Sequence, residues 1–215
     1  SLTVDQQTLV FTRNLQSRNE DFYISHLNEN KDWSKAVDIG APVNTAGNEG
    51  TAHISQDGRI LLFAGCNRAD GYGSCDIFYS VKTNSGWSEP QNMGDVINSA
   101  AWESQPCLSP DNKDLYFVSN RVGGFGGSDI YVSHLQNGHW SKPENLGADI
   151  NTPGDESSPF IHADNQTLYF ASNGWPGIGN VDLYYSRKNA DGTWSKPVNL
   201  GYPINTIDHE IGRAS

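Results

Sequence analysis

Cations are scarce in this 215-residue chain, with 14 Lys plus Arg against 25 Asp plus Glu and a formal net charge of −11. Nucleic-acid binding is therefore disfavoured, because neutralising phosphates needs a basic footprint. Long apolar runs are missing, and nothing approaches the ~18 residues of a membrane span, so no direct span is expected. The first residues, Ser1-Leu2-Thr3-Val4-Asp5, hold neither a basic n-region nor an apolar h-region, so an exported protein would already have lost its signal. No segment sustains a 3.6-residue apolar period, which predicts essentially no helix. Catalytic signatures are absent as well: no Gly-x-Ser-x-Gly elbow, no His-Glu-x-x-His pair and no Cys/His zinc spacing occurs. The expectation is a protein that is not an enzyme and needs no cofactor or metal.

Only 18% of residues are charged, while 11% are aromatic, and 22 glycines and 10 prolines supply turns. That mixture suits packed β-structure. Of the 3 cysteines, Cys66 and Cys75 flank one glycine-rich loop and Cys107 lies in the apolar stretch Pro106-Cys107-Leu108. They read as one disulfide, Cys66–Cys75, plus a buried thiol, or else as three reduced cysteines; the bridge would imply an oxidising compartment.

What the chain does have is a period. Trp33, Trp87, Trp140 and Trp194, each followed by serine, are 54, 53 and 54 residues apart, and Phe11, Phe63, Phe117 and Phe170 keep the same beat. Four copies, 1–51, 52–105, 106–158 and 159–215, fill the chain and leave no room for a second domain. In the third copy, Pro106-Cys107-Leu108-Ser109 and Asp114-Leu115-Tyr116-Phe117-Val118-Ser119 read as strands joined by a tight turn. Asp129-Ile130-Tyr131-Val132-Ser133 reads as a third strand, and His139-Trp140-Ser141-Lys142-Pro143 as an outermost fourth. Four antiparallel strands per ~53-residue copy predict an all-β protein, a β-propeller. The ring is either closed with four blades or part of a larger one, since Glu210-Ile211-Gly212 matches the start of a fifth inner strand.

Carboxylates recur at Glu49, Glu103, Glu156 and Glu210, each five residues after Asn44, Asn98, Asn151 or Asn205. They read as an acidic mouth for a cation or basic peptide, or as acceptors of backbone N–H groups at the blade junctions. Asp21, Asp76, Asp129 and Asp182 close the loops before the third strand, as calcium ligands or as acceptors for loop N–H groups and an arginine such as Arg121. Three of those loops carry an apolar tip between glycines: Tyr72, Phe125 and Ile178. These either form a contact surface or fold over the adjacent blade. The first copy has Ser17-Arg18-Asn19-Glu20 there instead.

Residues that break the repeat are the better candidates for ligand contact. Trp102 stands where other copies have Asn48, Asp155 and His209; Trp175 and Pro176 enlarge the last glycine loop; His162 replaces Ser55 and Ser109 in the inner strand. Trp102 and Trp175 offer stacking for a glycan or anchoring for a peptide.

The core Leu108-Ser109-Pro110-Asp111-Asn112-Lys113-Asp114-Leu115-Tyr116-Phe117-Val118-Ser119-Asn120-Arg121, followed by Asp129-Ile130-Tyr131-Val132-Ser133, resembles the WD-like β-propeller repeat of the TolB type. With Trp140-Ser141-Lys142-Pro143-Glu144-Asn145-Leu146-Gly147 and Ile150-Asn151-Thr152 added, it is more specifically similar to the propeller of OmpA-family envelope proteins of Bacteroidetes. The resemblance implies a non-enzymatic scaffold in the periplasm or at the outer membrane that holds a protein partner; some relatives are associated with type IX secretion and gliding. Neither the helical repeats nor the peptidoglycan-binding domain that often flank such a propeller is in the sequence, which implies an excised piece. A glycan-binding or glycan-active propeller using Trp102, Trp175 and the acidic ring is the alternative.

Overall fold

The computed structural model describes residues 1–3, 5–14 and 20–210. The loop positions Ser17, Arg18 and Asn19 and the terminal Ile211-Gly212 lie outside them. Among the described residues none is helical, and the strands form four antiparallel sheets. The chain divides into two compact units, Ser1–Pro106 and Cys107–Ala214.

In the first unit, β1 (Thr8–Asn14), β2 (Glu20–His26) and β3 (Val37–Asp38) form one sheet. A second follows with β4 (Glu49–Ile54), β5 (Ile60–Cys66), β6 (Cys75–Thr83), β7 (Gly86–Trp87) and β8 (Gln91–Asn92). The third sheet holds β9 (Glu103–Leu108), within which the division between units falls, then β10 (Asp114–Ser119), β11 (Asp129–Gln136), β12 (His139–Trp140) and β13 (Glu144–Asn145). In the second unit the fourth sheet comprises β14 (Glu156–Ile161), β15 (Thr167–Ser172), β16 (Asp182–Arg187) and β17 (Val198–Asn199).

Three details differ from the repeat as read in sequence. Inner strands start at Glu49, Glu103 and Glu156, three residues ahead of the repeat limits at 52, 106 and 159. Among the described residues the first copy shows only a bridge from Leu2 to Leu9 beside a three-stranded sheet, and no full inner strand. The outer strand is not continuous: β12 and β13 each pair with β11 across two residues, and Ser141-Lys142-Pro143 fills the gap. Serine side chains bridge the gap, and Pro143 cannot donate to the ladder within it. Ser133 Oγ donates to the Ser141 carbonyl at 2.6 Å and the His134 amide donates to Ser141 Oγ at 3.0 Å. Ser80 with Ser88 and Ser186 with Ser195 repeat this arrangement, which explains why each recurring tryptophan precedes a serine.

Three of the four recurring phenylalanines are core, and Phe11 is half-buried against Tyr23. In the first unit Phe63 stacks on Phe78 at 6.0 Å and meets Phe22 edge-on at 5.4 Å, within a cluster with Val10, Ile54 and Leu61. In the second unit Phe117 stacks on Tyr131 and Phe170 on Tyr184, all four buried.

Cys66 and Cys75 face each other at the ends of β5 and β6 and are bonded, and Cys107 is a buried free thiol. Alkylating the unfolded, unreduced protein should label one thiol by mass. Reduction should cost about 2–3 kcal/mol in denaturant unfolding, the chain-entropy value for a loop this short. Labelling of three thiols would refute the bridge.

Candidate functional site

Each junction between sheets is built by the same polar residues. The Asn98 side chain accepts from the Ile77 amide at 2.8 Å and donates to the Ile77 carbonyl at 3.0 Å, so an amide stands in for a paired strand residue. Asn151 does the same to Ile130, Asn205 to Leu183 and Asn44 to Phe22. The hydroxyl residue that follows feeds the glutamate. Ser99 donates its amide and hydroxyl to Glu103 at 2.8 and 2.6 Å, and Thr152 donates both to Glu156 at 2.8 and 2.7 Å. Ser172 adds a third donor to Glu156 at 2.6 Å.

Glu49, Glu103 and Glu156 are buried. The acidic-mouth reading therefore finds no exposed carboxylate at these positions, because burying an ion requires hydrogen-bond donors and the strand start supplies them internally. Glu210 receives the Thr206 amide and hydroxyl on Oε1, while its buried Oε2 has no partner among the described residues.

The glycine loops are organised by the aspartates. Asp129 accepts from the amides of Phe125 and Gly126 and from Asn145, and Asp76 and Asp182 repeat the pattern with Asn92 and Asn199. Arg121 lies over the rings of Phe117 and Tyr131 at 5.2 and 5.0 Å. Behind each tip the backbone reaches the following junction: Ser74 donates to the Ala101 carbonyl, Gly127 to that of Gly154, and Val181 bridges to His209. The tip side chains themselves stay out, with Tyr72, Phe125 and Ile178 52%, 49% and 49% exposed. Backbone, not side chain, folds over the neighbour.

Trp102 is half-buried and bridges to Cys75 within the first unit. Trp175, also half-buried, belongs to the second unit, where its indole N–H donates to the Ile150 carbonyl at 2.9 Å. His162 lies just past β14 rather than in it, with Nδ1 3.4 Å from Asp164. Ser55 with Asp57 and Ser109 with Asp111 make the same turn by hydroxyl-to-carboxylate bonds, so His162 is a turn residue. Among the described residues no three His, Cys, Asp or Glu side chains converge as metal ligands would.

A pocket that sequence reasoning missed lies within the second unit. It has a volume of about 240 Å³ and is lined by Tyr116, Val132, Trp194, Glu144, Asp149 and Lys188, among others. Tyr116 meets Trp194 edge-on at 6.4 Å, and Lys188 Nζ stands 5.9 Å from the Trp194 ring. His134, also in the lining, is held by Asp114 at 2.7 Å. Burial, reinforced by Asp114, Cys107 and Asp111, pushes the Tyr116 phenol above its ordinary range, so it stays protonated. The signal in sequence is small: Val132 occupies the position held by Tyr79 and Tyr185 in neighbouring copies.

No protein-family model and no curated protein matches the sequence. Solved structures do. TolB from Acinetobacter baumannii superposes with a TM-score of 0.63 at 17% identity, over 95% of this chain and 44% of that one. A TolB from Agrobacterium tumefaciens gives 0.62 at 14% identity, over 97% and 67%. The fold is that of TolB-type β-propellers. Its four antiparallel sheets are propeller blades, and the chain spans under half of the first of these proteins. The tricorn protease also matches, with a TM-score of 0.53 at 11% identity over 93% of this chain and 22% of that one, so the fold serves enzymes too.

Proposed function

We propose that this protein is a non-enzymatic protein-interaction scaffold of the bacterial envelope, working in the periplasm or at the outer membrane. The observation that carries the reading is the set of half-exposed apolar tips, Tyr72, Phe125 and Ile178, each on a loop fixed by an aspartate and by the next junction. Apolar groups held rigidly in water cost little ordering entropy on binding and are suited to anchoring a partner. The recurring carboxylates Glu103, Asp129 and Glu156 are engaged by backbone amides and hydroxyls. The OmpA-family resemblance of the repeat supports an envelope setting, and within it a link to type IX secretion.

The test compares wild type with the triple variant Tyr72→Ser, Phe125→Ser, Ile178→Ser in affinity capture from an envelope extract. A partner retained by wild type should be lost by the variant at least about tenfold, with Tm nearly unchanged because the tips lie outside the core. Equal capture by both proteins would refute the tips as partner contacts.

A further inference from the structure

The pocket in the second unit is a departure from the repeat with a local cause. In the second copy Tyr79 stands opposite Gln91, and its hydroxyl donates to Gln91 Oε1 at 2.5 Å. At the same register in the third copy Val132 stands opposite Glu144. Valine lacks the ring, so the space beside Glu144 stays open, while a tyrosine appears on the preceding strand, where Tyr116 replaces Leu62. The Tyr116 side chain lines the pocket at 1% exposure, and its hydroxyl has no hydrogen-bond partner among the described residues. Among the described residues neither Glu144 nor Asp149 is engaged in an ion pair.

We infer that this pocket binds a single sugar ring, a neutral polyhydroxylated ligand. The volume of about 240 Å³ is below the ~300–1,000 Å³ of pockets for drug-sized ligands and suits one ring. Donors and acceptors both line it: the Lys188 ammonium donates, the Glu144 and Asp149 carboxylates accept, and the Tyr116 hydroxyl does either. A lone cation would meet Lys188, and a lone anion would meet Glu144 and Asp149. Hydroxyl groups meet neither penalty, because each can turn as donor or acceptor. Trp194, 8% exposed, supplies an apolar wall against which a sugar's C–H face packs.

The test is ligand-observed saturation-transfer NMR with D-glucose, D-galactose, D-mannose and N-acetyl-D-glucosamine, each at millimolar concentration, beside ethylguanidinium as a mimic of a basic side chain. Ring protons of at least one sugar should receive saturation. Val132→Tyr restores the residue that the second and fourth copies carry, so it should fold, fill the pocket and abolish the signal. Tyr116→Phe should weaken binding about tenfold while Tm holds or rises, because the lost hydroxyl has no protein partner; it decides the matter if Val132→Tyr fails to fold. No saturation of any sugar, or binding unchanged in the variants, would overturn the inference. Binding of ethylguanidinium alone, lost in Val132→Tyr, would overturn the sugar assignment and make the pocket a socket for a basic side chain.

Discussion

Replacing Glu156 by alanine is expected to lower unfolding stability by about 3–5 kcal/mol, or roughly 10 °C in Tm. The carboxylate is buried and accepts three hydrogen bonds, from the Thr152 amide, the Thr152 hydroxyl and the Ser172 hydroxyl. Alanine leaves all three donors without an acceptor at a junction that water does not reach. Hydrogen bonds to charged groups are worth more than neutral ones, and the cost of orphaned donors adds to a cavity. A loss under about 1 kcal/mol in denaturant unfolding would show that the carboxylate does not hold the junction.

Glu156→Gln separates charge from shape. Burial pushes the Glu156 carboxyl above its ordinary 4.5, against hydrogen bonds from Ser172 and Thr152 and with help from Asp129. The folded value therefore exceeds the unfolded one. Its stabilising contribution is full below about pH 4.5 and is lost as pH rises through the raised folded value. Glutamine does not titrate, so the advantage of wild type over Glu156→Gln should be greatest in acid and narrow toward neutrality. A gap that widens with rising pH would reverse the assigned direction.

The second large effect belongs to a glycine. Gly126→Ala should cost about 2–3 kcal/mol and expose the 120–128 loop to limited proteolysis. A Cβ on Gly126 would collide with the carbonyl oxygens of Thr152 and Gly154, backbone atoms that cannot swing aside. Gly73 faces Ser99 and Ala101 in the same way in the first unit. Gly123, three residues earlier, has φ +95° and nothing within 4 Å, so it is glycine for its conformation, whereas Gly126 is glycine for close approach. Val122→Ala is the control, since Val122 is 104% exposed and should be neutral. Equal proteolysis of Gly126→Ala and wild type would mean that the loop does not depend on this contact.

The broken outer strand was half legible. Pro143 marked an edge, but the division into β12 and β13 depends on serine side chains that replace ladder bonds, and sequence spacing does not say where a hydroxyl points. Likewise the glutamate at each junction recurs visibly, but recurrence is equally compatible with an exposed ring and a buried acceptor. Ser99 and Thr152, next to Asn98 and Asn151, decide between them, and their role emerges only when the turn brings hydroxyl and carboxylate together.

Aromatic and glycine content, the lack of helical periodicity and a beat near 53 residues determined by themselves that this is an all-β protein of four repeated blades. Each blade meets the same local demands, so the same residue types return at the same spacing. Tertiary structure alone decided which of those residues turn inward, that Tyr72, Phe125 and Ile178 stay half in water, and that Val132 opens a pocket beside Tyr116 and Trp194. The physical reason is that a cavity depends on which side chains meet across strands and copies: Val132 faces Glu144 across one blade, and Tyr116 meets Trp194 of the next copy, a juxtaposition that no single copy of the repeat contains.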